Sequence, residues 1–301
     1  MIAHLPILQV IIPLMAAPIC LMLKRTQLVW FFSIIASGLA FAVSILLLQQ
    51  VMASGVISYE LGGWQAPWGI EYRIDKLNAF LLLIISGIST VVLFAAQTSL
   101  EKEIPKDKHI YFYVLYLLSL TGMLGIVATG DAFNVFVFLE ISSLSAYALI
   151  GMGNKRQALW ASYQYLIMGT IGATFILIGI GLMYQMTGTL NMHDLSQRLP
   201  EVEQSRTVLA AFAFVIVGVC LKLAMFPLHL WLPNAYAYAP SIVTAFFAAT
   251  ATKVAVYLLI RFTFSVFGFS FSFTHIPLQT IFMALGLIGI FVASASAIYQ
   301  S

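Results

Sequence analysis

Apolar residues run along this chain in long unbroken blocks, with neither the alternation of a half-buried strand nor the single stripe of a soluble helix. Blocks at 5–23, 28–52, 77–97, 111–129, 132–151, 160–186, 208–227, 240–261 and 278–298 each approach the length that crosses about 30 Å of hydrocarbon at 1.5 Å per residue. Hydrocarbon offers nothing to an unpaired strand edge, so blocks of this length predict helices. The expected fold is an all-α polytopic membrane protein with about nine transmembrane helices. The first block has no basic segment before it and no small-residue cleavage site. It holds Pro6, Pro13 and Pro18, so it predicts a retained helix rather than a removable signal.

The polar stretches between the blocks carry their own signals. Ser54 to Lys76 places Trp64, Trp68 and Tyr72 beside Gly62, Gly63 and Pro67, which predicts an ordered loop at headgroup level. Gly188 to Arg206 predicts a second polar loop with a short surface helix. Lys24, Arg25, Lys102, Lys106, Lys108, Lys155 and Arg156 fall in one set of loops, and Arg73, Lys76, Arg198, Arg206 and Arg261 in the other. The first set of loops is shorter and its bases denser, which predicts that it faces inward and that the N-terminus lies outside.

One block does not end cleanly. After Lys222 the chain reads Ala224-Met225-Phe226-Pro227-Leu228-His229-Leu230-Trp231-Leu232-Pro233, and each proline removes a backbone donor and restricts the residue before it. The segment Leu228 to Leu232 stays apolar, which predicts a broken helix within the membrane, its freed carbonyls facing protein or a wet cavity. The alternative is a span that stops at Pro227 and leads into a loop.

Composition sharpens the picture. Hydrophobic residues make up 61% of the chain and charged residues 8%, which excludes a soluble enzyme of ordinary design. A net charge of +3, scattered along the chain, gives no nucleic-acid surface. Cys20 and Cys220 lie inside apolar blocks and read as small packing residues. His4, His109, His193 and His275 fall in or near loops without ligand spacing, so neither a metal nor a cofactor is expected. Gly122, Gly125, Gly169, Gly172, Gly179 and Gly181 predict close helix packing, since no strand-turn-helix context for a nucleotide exists.

Against so apolar a background the deep charges are the candidates for chemistry. Glu140 lies well inside the fifth block with Ser142, Ser143 and Ser145 close by, Lys222 late in the seventh, and Lys253 near the middle of the eighth with Thr250 and Tyr257 expected along its face. His229 follows Lys222 and would extend a polar track if the helix resumed. An ion facing acyl chains is costly, so such groups must be neutral, paired or beside water. A lysine in a dry site loses its preference for the ammonium form and a nearby carboxylate restores it, so moving the carboxylate moves the proton. Glu140, Lys222, His229 and Lys253 therefore predict a proton relay; the alternative is a static buried pair that fixes helix packing. Asp131, at a block boundary, either caps a helix or forms the mouth of the pathway.

The stretches Thr129-Gly130-Asp131-Ala132-Phe133-Asn134-Val135-Phe136-Val137-Phe138-Leu139-Glu140, Leu221-Lys222 through Pro233-Asn234-Ala235, Ala239-Pro240 and Ala251-Thr252-Lys253-Val254-Ala255 resemble a known family. It comprises the D subunit of the multisubunit sodium/proton antiporters and the homologous proton-pumping membrane subunits of respiratory complex I. By that resemblance Glu140 pairs with Lys222, Lys253 leads toward the central axis, and His229 belongs to the hydrated relay. The resemblance further implies around fourteen helices in two inverted five-helix units. It divides this chain into an N-terminal three-helix region (1–110), a first translocation unit (111–261) and the first helix of a second unit (278–301), and makes the end at Ser301 that of a fragment. The implied function is a proton-translocating subunit of a sodium/proton antiporter in the cytoplasmic membrane, with other membrane subunits as partners. The alternatives are a proton-pumping subunit of a complex I-like NADH:quinone oxidoreductase, whose dehydrogenase activity would belong to the complex, and a structural scaffold.

Overall fold

A computed structural model describes residues 4–300 of the chain; the expected end at Ser301 lies outside the described residues. The helices are α1 (Leu5–Met22), α2 (Thr26–Ser54), α3 (Lys76–Glu103), α4 (His109–Ala128), α5 (Ala132–Gly151), α6 (Arg156–Thr187), the short α7 (Met192–Arg198), α8 (Arg206–Leu223), the short α9 (Trp231–Tyr238), α10 (Ser241–Ile260) and α11 (Leu278–Gln300). Among the described residues nine helices are long and apolar enough to cross a membrane, one for each predicted block. The chain is a multi-pass membrane protein.

Helices in lipid gain little from excluding water from one another, so they associate where small residues let backbones approach. A Cβ at Gly122 would lie 2.5 Å from the Ser142 nitrogen, and one at Gly125 would collide with the Phe138 ring, so α4 and α5 meet over glycine. Gly172 and Gly218 face each other across α6 and α8, and Gly179 lies against Ala211 and Val215. Gly181 departs from the expectation, with nothing within 4 Å. α4 lies at the centre, against α1, α2, α3, α5 and α10, and α11 stands at the edge, half-buried or exposed beyond its first residue, Leu278.

The loop from Ser54 to Lys76 is ordered, as its residues predict, but its order comes from strand pairing that its composition does not announce. β1 (Ile57–Glu60) and β2 (Glu71–Ile74) form an antiparallel hairpin. The turn between α4 and α5 is laced into it: Gly130 N–H donates to the Glu71 carbonyl at 2.8 Å, and Met192 N–H donates to the Gly130 carbonyl at 2.8 Å. Buried Glu71 accepts from Asn191 at 2.8 Å and Ser58 at 3.0 Å, which fastens the loop before α7 to the hairpin.

The seventh block is broken, but not at the proline. α8 ends at Leu223, where Ala224 takes a left-handed conformation at φ 55°, and α9 begins at Trp231. An alanine in that region is strained by about 1–2 kcal/mol, so the stop is held by surrounding structure rather than by local preference. Cys220 accepts from Met225 N–H at 3.0 Å and Leu221 from Ala224 N–H at 3.2 Å, which satisfies two carbonyls of the last turn. α10 also differs from its predicted end. It continues as a wider π-helical turn over Arg261–Val266, so Arg261, expected in a loop, belongs to the helical column.

Candidate functional site

α5 and α8 bring the first candidates together. Lys222, on the last turn of α8, is 9% exposed, and its ammonium donates to the Ser143 hydroxyl at 2.7 Å. Ser143 is itself buried, one turn along α5 from half-buried Glu140. The ion pairs among the described residues are Arg73–Glu71, Arg198–Asp194, Arg261–Asp75 and His275–Glu203, so Glu140 and Lys222 form no direct pair. A charge-assisted hydrogen bond to a neutral hydroxyl thus stands where a carboxylate contact was expected, leaving the carboxylate free of the amine.

His229 does not continue a helix; it lies in the turn between α8 and α9. Its ring is 5.5 Å from that of Phe226, and its Nδ1 is buried without a hydrogen-bond partner. Lys253 is placed differently from its expectation. It is exposed on α10 and its ammonium donates to the Ala248 carbonyl at 2.6 Å, back along its own helix. Thr250 and Tyr257 turn inward instead of lining its face: Thr250 donates to the Phe246 carbonyl at 2.6 Å and Tyr257 to the Val127 carbonyl at 3.2 Å. The physical reason is the helix itself, whose pitch puts residues three and four apart on neighbouring but not identical bearings, at the boundary between interior and surface.

Asp131 caps α5, accepting from Asn134 N–H at 2.7 Å. Burial raises its carboxyl pKa, and the capping hydrogen bonds oppose that shift. Cys20 and Cys220 are buried free thiols.

Two groups of residues escaped the sequence. At the hairpin end Arg261 reaches Asp75 at 2.8 Å, Asn78 Oδ1 at 2.8 Å and the Tyr257 hydroxyl at 3.2 Å. Asn78 in turn donates to the Val127 carbonyl at 2.6 Å. This clamp joins the ends of α3, α4 and α10, beside a cavity of about 230 Å³ lined in part by Arg73, Asp75, Tyr257 and Arg261. The reciprocal Asp75/Asn78 cap and the four-residue step from Tyr257 to Arg261 were the legible parts of it. Around Lys222, Tyr147 stands at 4.7 Å from Tyr165, ring to ring and nearly perpendicular, and Tyr165 stacks on Trp231 at 4.3 Å. In a chain with 14% aromatic residues, nothing in the sequence singled these three out.

Residues 129–301 match the family model described as NADH:quinone oxidoreductase/Mrp antiporter, TM. The chain is 44% identical over 269 residues to the N subunit of NADH-quinone oxidoreductase from Desulforudis audaxviator, covering 88% of this chain and 53% of that protein. It is 34% identical over 290 residues to the D subunit of the Na(+)/H(+) antiporter from Bacillus subtilis, covering 94% of this chain and 58% of the relative. Among solved structures it is similar to a chain of the membrane-bound sulfane sulfur reductase, an archaeal respiratory membrane complex, with TM-score 0.79 and 32% identity over 89% of this chain and 55% of that one. A chain of the Mrp complex from a Dietzia species matches with TM-score 0.78 and 26% identity, over 88% of this chain and 49% of that one. The chain spans about half the length of the relatives it matches. With the family match running from Thr129 through the Glu140 helix, the broken helix and the Lys253 helix, the chain belongs to the NADH:quinone oxidoreductase/Mrp antiporter transmembrane family.

Proposed function

We propose that this chain is a proton-translocating membrane subunit of a multisubunit monovalent cation/proton antiporter, with sodium as the cation, moving protons through Glu140, Lys222, His229 and Lys253. The observation that carries the reading is the buried Lys222 ammonium, held by a neutral hydroxyl at 2.7 Å beside a helix break, with Glu140 one turn along the helix that carries that hydroxyl. A static pair would bring the two charges into contact. A separated carboxylate and amine can exchange partners, and each exchange changes the proton affinity of the amine. His229, with an unused ring nitrogen in the turn, supplies a further proton carrier.

In this reading residues 1–110 support a translocation unit over 111–261, and 278–301 open a second unit. Lys253, exposed in the middle of its span, is the connection onward and is covered by other parts of a larger assembly of membrane subunits, because an uncovered ammonium at that depth is costly. The protein resides in the cytoplasmic membrane with its N-terminus outside and Lys102 to Lys108 inside; a reporter fused to that loop and found external would overturn the orientation.

The functional test is cation-dependent proton exchange in vesicles holding the full-length subunit with its partners. Glu140→Ala and Lys253→Ala are each expected to abolish exchange at normal assembly, and exchange at the parent rate would remove both from the pathway. A second reading, a proton-pumping subunit of a quinone-reducing respiratory complex, is favoured by the 44% identity to a protein named for that activity, against 34% for the antiporter relative. Co-purification with a quinone-reducing peripheral arm, together with proton movement indifferent to sodium, would select it.

A further inference from the structure

A closed ring of contacts runs around Lys222 and across the helix break. From the ammonium it passes to Ser143 at 2.7 Å, one turn along α5 to Tyr147, across to Tyr165 of α6 at 4.7 Å between rings, and on to Trp231 at 4.3 Å with the ring planes 9° apart. Trp231 closes it by donating its indole N–H to the Leu221 carbonyl at 3.2 Å, and Leu221 directly precedes Lys222. Trp231 is the first residue of α9, so the ring ties the last turn of α8 to the helix beyond the break.

The choice of residue follows from what the break leaves behind. The Leu221 carbonyl has lost its regular helical partner at the break; it takes Ala224 N–H at 3.2 Å in the tightened last turn and the indole as a second, cross-break donor. A phenyl ring in place of Trp231 would still stack on Tyr165 but would leave part of the indole's volume empty and donate nothing to Leu221. The ring also has a slack point. The Tyr147 hydroxyl is buried against Gly169, where even a methyl group would collide with it, and it stands near Ser143 without a well-aligned hydrogen bond.

We infer that Trp231 is a positioning residue for proton transfer at Lys222: its indole N–H locks α8 to α9 and so holds the ammonium on Ser143, and opening that lock frees Lys222 to move to Glu140. The Tyr147 hydroxyl, already beside Ser143 but poorly aligned to it, takes up the serine fully when the ammonium leaves. This rests on the reading of Lys222 as a proton carrier given above. The titratable and charged groups on the elements about Lys222 are Glu140 and Tyr147 on α5, Arg156, Tyr163, Tyr165 and Tyr184 on α6, Arg206 and Cys220 on α8 itself, His229, Tyr236 and Tyr238 at and beyond the break, and Lys253 and Tyr257 on α10. Glu140 is the carboxylate among them that lies one turn from Ser143.

The experiment is the pH profile of proton exchange by the full-length subunit assembled with its partners in vesicles, for Trp231→Phe, Tyr147→Phe and Lys222→Met. Trp231→Phe is expected to keep the maximal rate within about threefold of the parent while shifting the pH of half-maximal exchange by about half a unit or more. Tyr147→Phe removes a hydroxyl with no well-aligned hydrogen bond, so the fold is expected to persist and a merely structural ring leaves its profile in place; a shift in the same sense is expected. If Lys222→Met abolishes exchange while the profiles of both aromatic variants coincide with the parent, the positioning role of Trp231 is wrong and the relay stands. If Lys222→Met exchanges at the parent rate, the relay reading fails and takes this inference with it.

Discussion

The Lys222 ammonium donates to Ser143 at 2.7 Å, while Glu140, one turn back on the same helix as that serine, makes no ion pair with it. This separation distinguishes a site that can change state from one that cannot. A buried ion pair in direct contact is worth most when nothing moves, whereas a buried cation on a neutral hydroxyl has a better partner within reach. Ser143→Ala removes the hydroxyl and leaves the ammonium without a described acceptor. The expected cost is about 1.5–3 kcal/mol if Lys222 stays charged and in place. Thermal unfolding of the purified protein in detergent checks it, and an unchanged midpoint would mean that the ammonium has moved onto Glu140.

Arg261 and Asp75 fasten the far end of the Lys253 helix at 2.8 Å, with side chains 15% and 29% exposed. Asp75→Asn keeps an acceptor for the backbone N–H groups of Leu77 and Asn78, so it removes the ion pair and spares the helix cap. Partial exposure screens the pair, so a loss of about 1–3 kcal/mol is expected, seen as a lowered unfolding midpoint that falls further in Asp75→Ala, where the cap is lost as well.

Asp131 provides a pH test outside the membrane-spanning segments. Burial raises its carboxyl above the ordinary value of 3.8, so the folded protein holds that proton more tightly than the unfolded chain does. Its contribution to stability is therefore full below the unfolded value and is lost as pH rises through the folded value. Asp131→Asn retains a capping oxygen without the charge. It is expected to raise the unfolding midpoint at neutral pH and to leave it unchanged below the ordinary carboxyl value; a variant less stable than the parent at neutral pH would show that the capping charge outweighs its desolvation.

Glycines with the same sequence signature differ sharply in what surrounds them. A Cβ at Gly122 would sit 2.5 Å from a backbone nitrogen and 2.7 Å from a backbone oxygen of α5, neither of which can yield without moving the helix. Gly122→Ala is expected to cost about 1–3 kcal/mol by overpacking. Gly181→Ala meets open space and is expected to gain up to about 1 kcal/mol from helix propensity. Unfolding midpoints of the two variants measured side by side decide the matter, and equal responses would refute the close approach of α4 and α5.

A break after Lys222 was signalled by Pro227, although the helix stops earlier, at Ala224, where only tertiary contacts hold it. The number of helices and their places in the chain were legible because hydrocarbon imposes a length on anything that crosses it. The fold of the hairpin was not, since its four-residue strands are held by rungs from the turn before α5 and the loop before α7, far along the chain. The candidate charges were legible one by one, because an ion in an apolar block is conspicuous by its cost. Their relations were not.

What the amino-acid order determined by itself is solvation: which stretches enter the bilayer, and that Glu140, Lys222 and Lys253 enter with them. Only the tertiary structure decided that Lys222 meets a serine rather than a glutamate, that Lys253 faces outward, and that Trp231 reaches back to close the break. Those outcomes turn on the rotation of each helix about its own axis and on which neighbour it meets. Helices that are apolar on every side carry no stripe that fixes either of these, so packing between glycines, hydroxyls and aromatic rings settles both.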